Sequence, residues 1–352
     1  MMFSTKIAEA AGYCLANGIN FALYAMPGSN EVTFIADDGA QCDVEEREMK
    51  GFFINTFLNR LPRPILIRPR LDCNSVISLK NTPASGHLNA QINKMSTPRE
   101  KYLLDIKNLA DTLKRKGGKT VISRVICGSA GHIDWITVAA RYFTAYPATF
   151  RFMYHTPETG SWIGATPEIL LSRDNATSTI TTMSLAGTRM RSDKPWDCKN
   201  RAEHDFVTDY IVNIFQSEGI EPHIHEAENV AYGDIEHLCH RITAHYEGQI
   251  FPLLHHLSPT PALAGVPIDS ALRHIATYES HDRGCYGGYV GVCDNDGLHA
   301  FVNLRSVRFD GGDYCIYAGG GITAASSPES EWEETEAKVK KLLSIIQSES
   351  HE

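Results

Sequence analysis

The chain has 352 residues and a formal net charge of −9 at neutral pH, and 43% of its residues are hydrophobic. This length and composition allow a large buried core in one or two domains. The acidic balance contains no long run of one sign and argues against a nucleic-acid partner, so a small anionic ligand would need a local positive site or a bound cation.

The sequence contains no apolar run of membrane-spanning length, and its start, "MMFSTKIAEAAGYCLANG", lacks the pattern of a signal peptide. We therefore expect a soluble, cytoplasmic protein that does not enter a membrane. The nine cysteines are scattered without any CxxC pair. We expect them to be reduced thiols, with neither a zinc site nor a disulfide framework.

In chain order, apolar runs typical of strands come first, at "NFALYAMP", "VTFIAD", "FFINTFL" and "PILIRP". A helix is predicted in "TPREKYLLDIKNLADTLKRKGG", which begins with threonine and proline and stops at two glycines. Further strands follow at "KTVISRVIC", "TFRFMYHT", "SWIGATPEILLSRD" and "STITTMSLAGTRMR", then a helix near residues 199–217. The last third contains the strands "CYGGYVGVCD", "HAFVNLRSVRF" and "YCIYAGGG" and a final long helix.

Several consecutive strands lie close enough in sequence to form hairpins. This spacing predicts an α+β fold in which large antiparallel β-sheets pack as a sandwich with flanking helices. No repeat, low-complexity segment or Pro/Gly-rich linker marks a domain boundary.

The end of the chain, "GGGITAASSPESEWEETEAKVKKLL", combines a glycine run with a charged helix. The glycines are Gly319, Gly320 and Gly321. Two serines and a proline supply the helix start, and at about 100° per residue one helix face carries Glu331, Glu334 and Lys338. One interpretation is a solvated face with an i,i+4 ion pair worth about 0.3 kcal/mol. The other is that glycine N–H groups bind an anion and the neighbouring carboxylates hold a metal.

Two segments earlier in the chain offer an acid and a base. Lys119 opens the apolar strand of "GGKTVISR"; it is either an exposed strand-end lysine or, if partly withdrawn from water, a base of lowered pKa. Glu168 stands between a glycine turn and an apolar run in "IGATPEILL". It is either an edge carboxylate or, if shielded by apolar neighbours, an acid that stays protonated long enough to donate.

Two other segments offer a metal ligand and an anion clamp. Glu203 in "NRAEHDFV" falls on the helix near 199–217, as a surface charge or as a second ligand of the metal held by Glu334. Oxygen ligands of this kind suit Mg²⁺. Arg305 in "FVNLRSVRF" is predicted to lie within a strand, as an exposed arginine or as a bidentate carboxylate clamp.

Taken together and in order, these segments resemble the chorismate-utilising family, which includes isochorismate, salicylate, anthranilate and aminodeoxychorismate synthases. The resemblance runs from about Lys101 to the end, in "KTVISR", "GATPEILL", "LAGTRMR", "AEHDFV", "PTPALAGVP", "RGCYGGYVGVCD", "LRSV" and the glycine-rich tail. It implies one chorismate-binding domain over residues 1–352, with residues 1–100 as the variable N-terminal part of the fold and 101–352 as the catalytic region.

Three features place the chain near the isochorismate synthases within this family. Water-adding members carry a lysine where Lys119 stands, whereas members that add ammonia typically lack it. The loop "PTPALAGVP" resembles the isochorismate type rather than the SGAPK-like loop of the amino-group-adding enzymes, and the tail "SSPESEWEET" is similar to isochorismate synthases of menaquinone and siderophore pathways. Ser258 departs from the histidine usual before this loop.

The resemblance implies an isomerase that converts chorismate into isochorismate with Mg²⁺. Lys119 would activate the water that attacks C2, and Glu168 would protonate the departing C4 hydroxyl. The implied metal ligands are Glu203, Glu334 and, through water, Glu331. The implied substrate contacts are Gly187, His237, Arg305, Gly319, Gly320, Gly321 and Lys338. For His237, a packed and hydrogen-bonded structural histidine is an equal alternative.

Two other functions stay open from the sequence. A salicylate synthase would use the same site and then eliminate pyruvate from isochorismate. A non-catalytic chorismate-binding subunit would pair with a glutamine amidotransferase, although its catalytic positions would be expected to have decayed. We expect a monomer.

Overall fold

The computed structural model describes residues 3–39, 49–61, 63–79, 92, 95–193, 195–232 and 235–351. In these residues the helices are α1 (Thr5–Asn17), α2 (Cys73–Ser78), α3 (Arg99–Lys116), α4 (Trp135–Ala145), α5 (Cys198–Ser217), α6 (Ile250–Leu257), α7 (Ile268–Tyr278) and α8 (Pro328–Glu349). The strands are β1 (Asn20–Ala25), β2 (Thr33–Asp37), β3 (Gly51–Asn55), β4 (Ile65–Ile67), β5 (Lys119–Ser129), β6 (His132–Ile133), β7 (Phe150–Thr156), β8 (Gly160–Thr166), β9 (Ile169–Asp174), β10 (Thr179–Met190), β11 (His223–Ile224), β12 (Glu228–Tyr232), β13 (Ile235–His245), β14 (Gly265–Val266), β15 (Tyr289–Cys293), β16 (Gly297–Val302), β17 (Ser306–Asp310), β18 (Asp313–Ile322) and β19 (Ser350–His351).

Most strands belong to two large antiparallel sheets. The first has the order β14-β5-β18-β17-β8-β7-β1-β2, and the second has the order β11-β13-β10-β9-β16-β15-β3-β4 with β12 also paired to β13. A separate two-stranded sheet joins β19 to β6. The predicted α+β class with large antiparallel sheets is confirmed, and the first hundred residues supply strands to both sheets.

The two sheets pack face to face through an aromatic core. Phe150 of the first sheet stacks on Phe301 of the second with ring centroids 4.2 Å apart, and Phe52 packs beside them. Helices α1, α4 and α8 cover the outer face of the first sheet. Helices α3, α5, α6 and α7 form a further core with the second sheet and one end of the first. Burial of these apolar faces stabilises the fold by roughly 25 cal/mol per Å².

The predicted long helices are present, with small differences at their ends. Helix α3 ends at Lys116 and is followed by the cap residue Gly117, whose φ of 72° is positive, in agreement with the predicted glycine stop. Helix α8 begins at Pro328, but the side chain of its cap residue Ser327 makes no capping hydrogen bond. Ser326 accepts instead from the N–H of Thr323 at 3.0 Å, so the serines shape the preceding turn.

Arg305 does not lie in a strand, contrary to the prediction. It stands in the connection between β16 and β17, which belong to different sheets. Its φ is 49°, a left-handed conformation that a continuous strand would not allow. The apolar alternation around it therefore comes from two strands that end and begin on either side.

The prediction that every cysteine is a reduced thiol is wrong for one pair. Cys127 of β5 and Cys315 of β18 form a disulfide. The two residues are direct partners in the antiparallel register, although 188 positions separate them in sequence. Cysteine spacing alone does not reveal strand register, which is why the sequence pattern missed the pair.

Among the helices of the described ranges, none combines the length and the apolar character needed to cross a bilayer.

Candidate active site

The glycine strand β18 runs past the end of its neighbour β17. The pairing of these two strands reaches Val307 opposite Ile316, whereas β18 continues beside β5 as far as Ile322. Gly319, Gly320 and Gly321 therefore lie where β18 has a paired strand on one side only among the described residues. Three of the predicted site residues, Lys119, Glu331 and Lys338, lie against these glycines.

Strand register determines which glycine backbone groups face the open edge. Gly319 and Gly321 pair with Ser123 and Val121 of β5. The N–H of Ser123 donates to the Glu279 carboxylate and that of Val121 donates to Ala264, so both point away from β18. Antiparallel strands alternate their bonding direction, so the backbone groups of Gly319 and Gly321 also point away from β5. None of the three glycines has a positive φ, so they form an extended edge rather than a left-handed nest.

The glycines are needed because charged side chains cross them. A Cβ on Gly321 would lie 2.4 Å from Lys119 Cε and 3.1 Å from its Nζ. A Cβ on Gly320 would lie 2.8 Å from Glu331 Oε2. Since successive positions of a strand face opposite sides, the lysine and the glutamate approach the strand from opposite faces.

Lys119 and Glu168 form the candidate base and acid. Lys119 is half-buried at the start of β5, and Glu168 is half-buried in the connection between β8 and β9. Burial raises the pKa of the Glu168 carboxyl to about 7, although the nearby charge of Lys119 acts in the opposite direction. Desolvation raises the pKa because it penalises the charged form of the carboxyl, and this effect is larger than the lowering by the charge of Lys119.

Tyr286 is a site residue that sequence reasoning missed. Its hydroxyl would lie 3.2 Å from a Cβ on Gly319. Burial raises the pKa of Tyr286 to about 12, with the charge of Glu168 among the smaller causes. The stretch "RGCYGGYVGVCD" carries part of the family resemblance, but nothing in its spacing indicates that this tyrosine lies beside Gly319.

Gly187 and His237 meet at an irregularity of the second sheet. Gly187 has a φ of 73° and lies in a register shift between Ala186 and Thr188 opposite β13. His237 Nδ1 lies 3.2 Å from the carbonyl oxygen of Gly187; a carbonyl can only accept, so this nitrogen carries the proton. The hydrogen-bonded structural histidine of the alternative reading is therefore present.

Two cations lie beside His237. Burial lowers the pKa of His237, and the positive charges of Arg305 and Lys338 add to that effect. The carbonyl oxygen of Arg305 accepts from the Tyr142 hydroxyl at 2.8 Å, which fixes its unusual backbone. Lys338 Nζ donates to the carbonyl oxygen of Gly319 at 2.7 Å. Lys338 thus connects the glycine strand to the Gly187–His237 end of the site.

Helix α8 presents the two described glutamates of the candidate metal centre. Glu334 bonds Lys338 at 2.6 Å with both side chains half-exposed, so the simple i,i+4 pair is also present. Arg124, whose side chain is 3% exposed, anchors the helix by donating to Thr335 at 2.7 Å. Its guanidinium also lies 3.7 Å from the ring centroid of Trp332. This anchor sets the position of the first turns of α8 over the sheet.

Glu203 lies in α5, but its side chain is outside the described part of the structure. Its helix turn does reach the site: a Cβ on Gly187 would lie 3.1 Å from the backbone oxygen of Asn200. Among the described side chains, no three His, Cys, Asp or Glu residues converge as a complete metal cage. Two carboxylates with open positions are what Mg²⁺ takes, since it keeps several waters and uses few protein ligands.

A family model described as chorismate binding enzyme matches residues 70–347 of this chain. The isochorismate synthase EntC of Escherichia coli K12 is 30% identical over 244 residues, which cover 65% of this chain and 62% of that protein. The vibriobactin-specific isochorismate synthase of Vibrio cholerae is 30% identical over 286 residues, which cover 75% of this chain and 71% of that protein.

The fold is also that of a solved structure. MenF, the menaquinone-specific isochorismate synthase from Escherichia coli, superimposes with a TM-score of 0.80 at 20% identity, over 98% of this chain and 92% of that one. At this identity the similarity shows the fold alone. The family model, which covers most of the chain, confirms the resemblance given by the motifs: the protein belongs to the family of chorismate-binding enzymes.

Proposed function

We propose that this protein is an isochorismate synthase. The observation that carries the proposal is a carboxyl with a pKa of about 7, that of Glu168, near enough to Lys119 for the lysine charge to act on it, while Lys119 itself lies over Gly321 of the glycine strand. An acid and a base of this kind suit a reaction that needs one proton removed and one donated at neutral pH. The relatives described above support the same reaction.

The proposed chemistry exchanges one hydroxyl for another on the chorismate ring. Lys119 takes a proton from a water whose oxygen forms a bond to C2. The ring double bonds shift, the C4–O bond breaks, and Glu168 gives a proton to the departing hydroxyl, which leaves as water. One water enters and one leaves, so the net change is an isomerisation. Lys119 and Glu168 each return to their starting state when they exchange protons with solvent.

Arg305, Lys338 and the edge glycines would hold the substrate. Chorismate carries two carboxylates, and a guanidinium and an ammonium group are the side chains that bind such groups with charge-assisted hydrogen bonds. The backbone N–H groups of Gly319 and Gly321 face the same open edge. His237 donates its Nδ1 proton to Gly187, which fixes the orientation of the ring at this end of the site. These cationic and N–H groups explain how an acidic protein can bind a dianion.

Mg²⁺ is part of the proposal. Glu334 and Glu203 would be its ligands, with Glu331 acting through water. When bound, the ion would neutralise the charge of a substrate carboxylate that these glutamates would otherwise repel. The support is the donor chemistry: carboxylate oxygens on α8 beside the glycine edge suit a hard cation.

The experiment is to incubate the purified protein with chorismate, with and without Mg²⁺, and to identify products by chromatography and NMR. We expect isochorismate in equilibrium with chorismate, formed only with the metal. Salicylate with pyruvate would assign the protein to the salicylate synthases instead. Absence of any conversion, with chorismate still bound, would support a non-catalytic binding subunit.

A further inference from the structure

On the side of β5 away from β18, one stretch of the backbone is hydrogen-bonded by side chains instead of by a neighbouring strand. At the start of β5, Lys119 and Thr120 pair with β14. Further along, the N–H of Thr97 donates to the carbonyl oxygen of Val125 at 2.9 Å. Between these contacts, around Ser123, no described strand lies on that side of β5.

The side chains of Glu279 and Arg283 occupy this interval. The N–H of Ser123 donates to Glu279 Oε1 at 2.6 Å, and Arg283 Nη2 donates to the carbonyl oxygen of Val121 at 2.8 Å. Arg283 Nη1 also donates to the carbonyl oxygen of Leu263 at 2.8 Å. The two side chains thus provide hydrogen bonds that a neighbouring strand would otherwise make.

The pair is deeply buried and charged. Arg283 and Glu279 are joined by two bonds of 2.5 and 2.9 Å, and their side chains are 2% and 3% exposed. His281 adds a third buried group, with Nε2 2.9 Å from the Ser123 hydroxyl. Burying two charges costs several kcal/mol of desolvation, and apolar residues of the same size often stabilise a fold equally well. Stability alone does not account for an ion pair at this place.

The pair lies between β5, which carries Lys119, and the loop whose end pairs with Lys119 and Thr120. Val121 and Ser123 follow Lys119 on β5 and pair with Gly321 and Gly319. Leu263 belongs to the "PTPALAGVP" loop. We propose that Glu279 and Arg283 are positioning residues that hold the Lys119 end of β5 in register with this loop and with the glycine edge. The proposal rests on the proposed function, since it assigns the pair a task in that reaction.

The test compares Glu279→Gln with a matched control, Asp37→Asn. Asp37 is also a buried carboxylate that accepts backbone N–H groups, from Gly39 and Arg68, but it lies on β2 at the opposite edge of the same sheet. Both variants exchange a carboxylate for an amide of the same shape. Thermal unfolding and the kcat and KM for chorismate at saturating Mg²⁺ are measured for each.

We expect both variants to melt at lower temperature, but only Glu279→Gln to lose turnover. Its kcat should fall at least about tenfold with a smaller change in KM, because a displacement of 1 Å at a reacting group costs up to about a hundredfold. The high-pH limb of the kcat profile should also move to higher pH. Lys119 lowers the pKa of Glu168, and displacing Lys119 removes that effect. The control should retain kcat within about twofold.

Arg283→Lys is the second variant, for use if Glu279→Gln does not fold. It keeps the charge beside Glu279 but loses the fork that reaches Val121 and Leu263 together, and we expect the same loss of kcat. Wild-type kcat and an unchanged pH profile in either folded variant would overturn the proposal. Inactive wild-type protein would instead contradict the proposed function, so the two failures are distinguishable.

Discussion

At the scale of single residues, the candidate site depends on how the protein environment changes ordinary side chains. Glu168 has the same carboxyl group as any surface glutamate, yet burial brings its pKa from 4.5 to about 7. The charge of Lys119 opposes this shift, and the carboxyl of Glu168 still has its pKa near neutral pH. A carboxyl with such a pKa can hold a proton and release it at physiological pH, which a general acid requires.

The raised pKa of Glu168 predicts a pH-dependent cost to stability. In the unfolded chain the carboxyl loses its proton near pH 4.5, whereas in the folded protein it keeps the proton until about pH 7. The folded state therefore binds more protons in this window, and stability falls as pH rises through it. Glu168→Gln removes the ionising group and therefore this pH dependence. The unfolding free energy of the variant minus that of wild type should be larger at pH 7.5 than at pH 4.5 by about 2 kcal/mol, after allowance for partial screening. Denaturant titrations at both pH values measure it; a constant difference would contradict the pKa.

The metal assignment predicts a specific defect in Glu334→Gln. An amide is a poorer Mg²⁺ ligand than a carboxylate, so the Mg²⁺ concentration for half-maximal turnover should rise at least about tenfold, as even outer partners of metal ligands have effects of that size. The fold should remain intact, because the pair with Lys338 is half-exposed and contributes only about 0.5 kcal/mol. The control is Glu333→Gln, an exposed neighbour on the same helix. Equal Mg²⁺ titrations for the two variants would exclude Glu334 as a ligand.

Sequence reasoning works well for residues whose role depends on a local pattern. The final helix, with positions 331, 334 and 338 on one face, could be predicted because the helix period and the first-turn proline are local signals. The place of Tyr286 beside Gly319 could not, since it depends on how distant parts of the chain pack. Arg305 was predicted in a strand because apolar and polar residues alternate on both sides of it. The alternation does not reveal that the chain leaves one sheet and enters the other at this residue.

At the scale of elements, the glycine edge is built by strand β18, which carries the glycines, and by its neighbours β5 and α8. Strand β5 brings Lys119 over Gly321 on one face, and helix α8 brings Glu331 over Gly320 on the other. Arg124 joins them, since it is a residue of β5 that bonds Thr335 of α8. The glycine run is therefore explained by the close approach of two charged side chains from opposite sides.

This arrangement predicts different outcomes for two similar substitutions. Gly321→Ala should displace Lys119 and reduce kcat by about ten- to a hundredfold at saturating Mg²⁺. Gly320→Ala should displace Glu331 and mainly raise the Mg²⁺ requirement. Steady-state kinetics over a range of Mg²⁺ concentrations separate the two effects.

Stability should change little in either glycine variant, because the atoms displaced are the ends of flexible side chains. Gly12→Ala in α1 is the control, as a Cβ there meets nothing within 4 Å and alanine favours a helix by about 1 kcal/mol. Identical kinetic defects in Gly320→Ala and Gly321→Ala would contradict the placement of the two side chains on opposite faces.

At the scale of the whole molecule, the site lies where the chain crosses between the two sheets. Glu168 stands between β8 of the first sheet and β9 of the second, and Arg305 stands between β16 of the second and β17 of the first. Lys119 and the glycines come from the first sheet, and Gly187 and His237 from the second. The site is therefore complete only when the sandwich is assembled.

The same crossing limits what the sequence alone could reveal about the fold. Hairpin spacing predicts antiparallel sheets, because neighbouring strands are close in the chain. It does not predict that β5 pairs with β18, since about 190 residues separate partners such as Cys127 and Cys315 and long-range register depends on packing of the whole sandwich. The disulfide follows from that register.

The central claim is that Lys119 directs water to C2 while Glu168 expels the C4 hydroxyl. The most direct test is to run the reaction with Mg²⁺ in water enriched in ¹⁸O and to sample the first isochorismate formed, before the reverse reaction exchanges the label. The account predicts one solvent-derived oxygen per molecule, located in the hydroxyl at C2. Isochorismate that carries only the oxygen originally at C4 would show transfer within the substrate, and it would contradict both assigned roles.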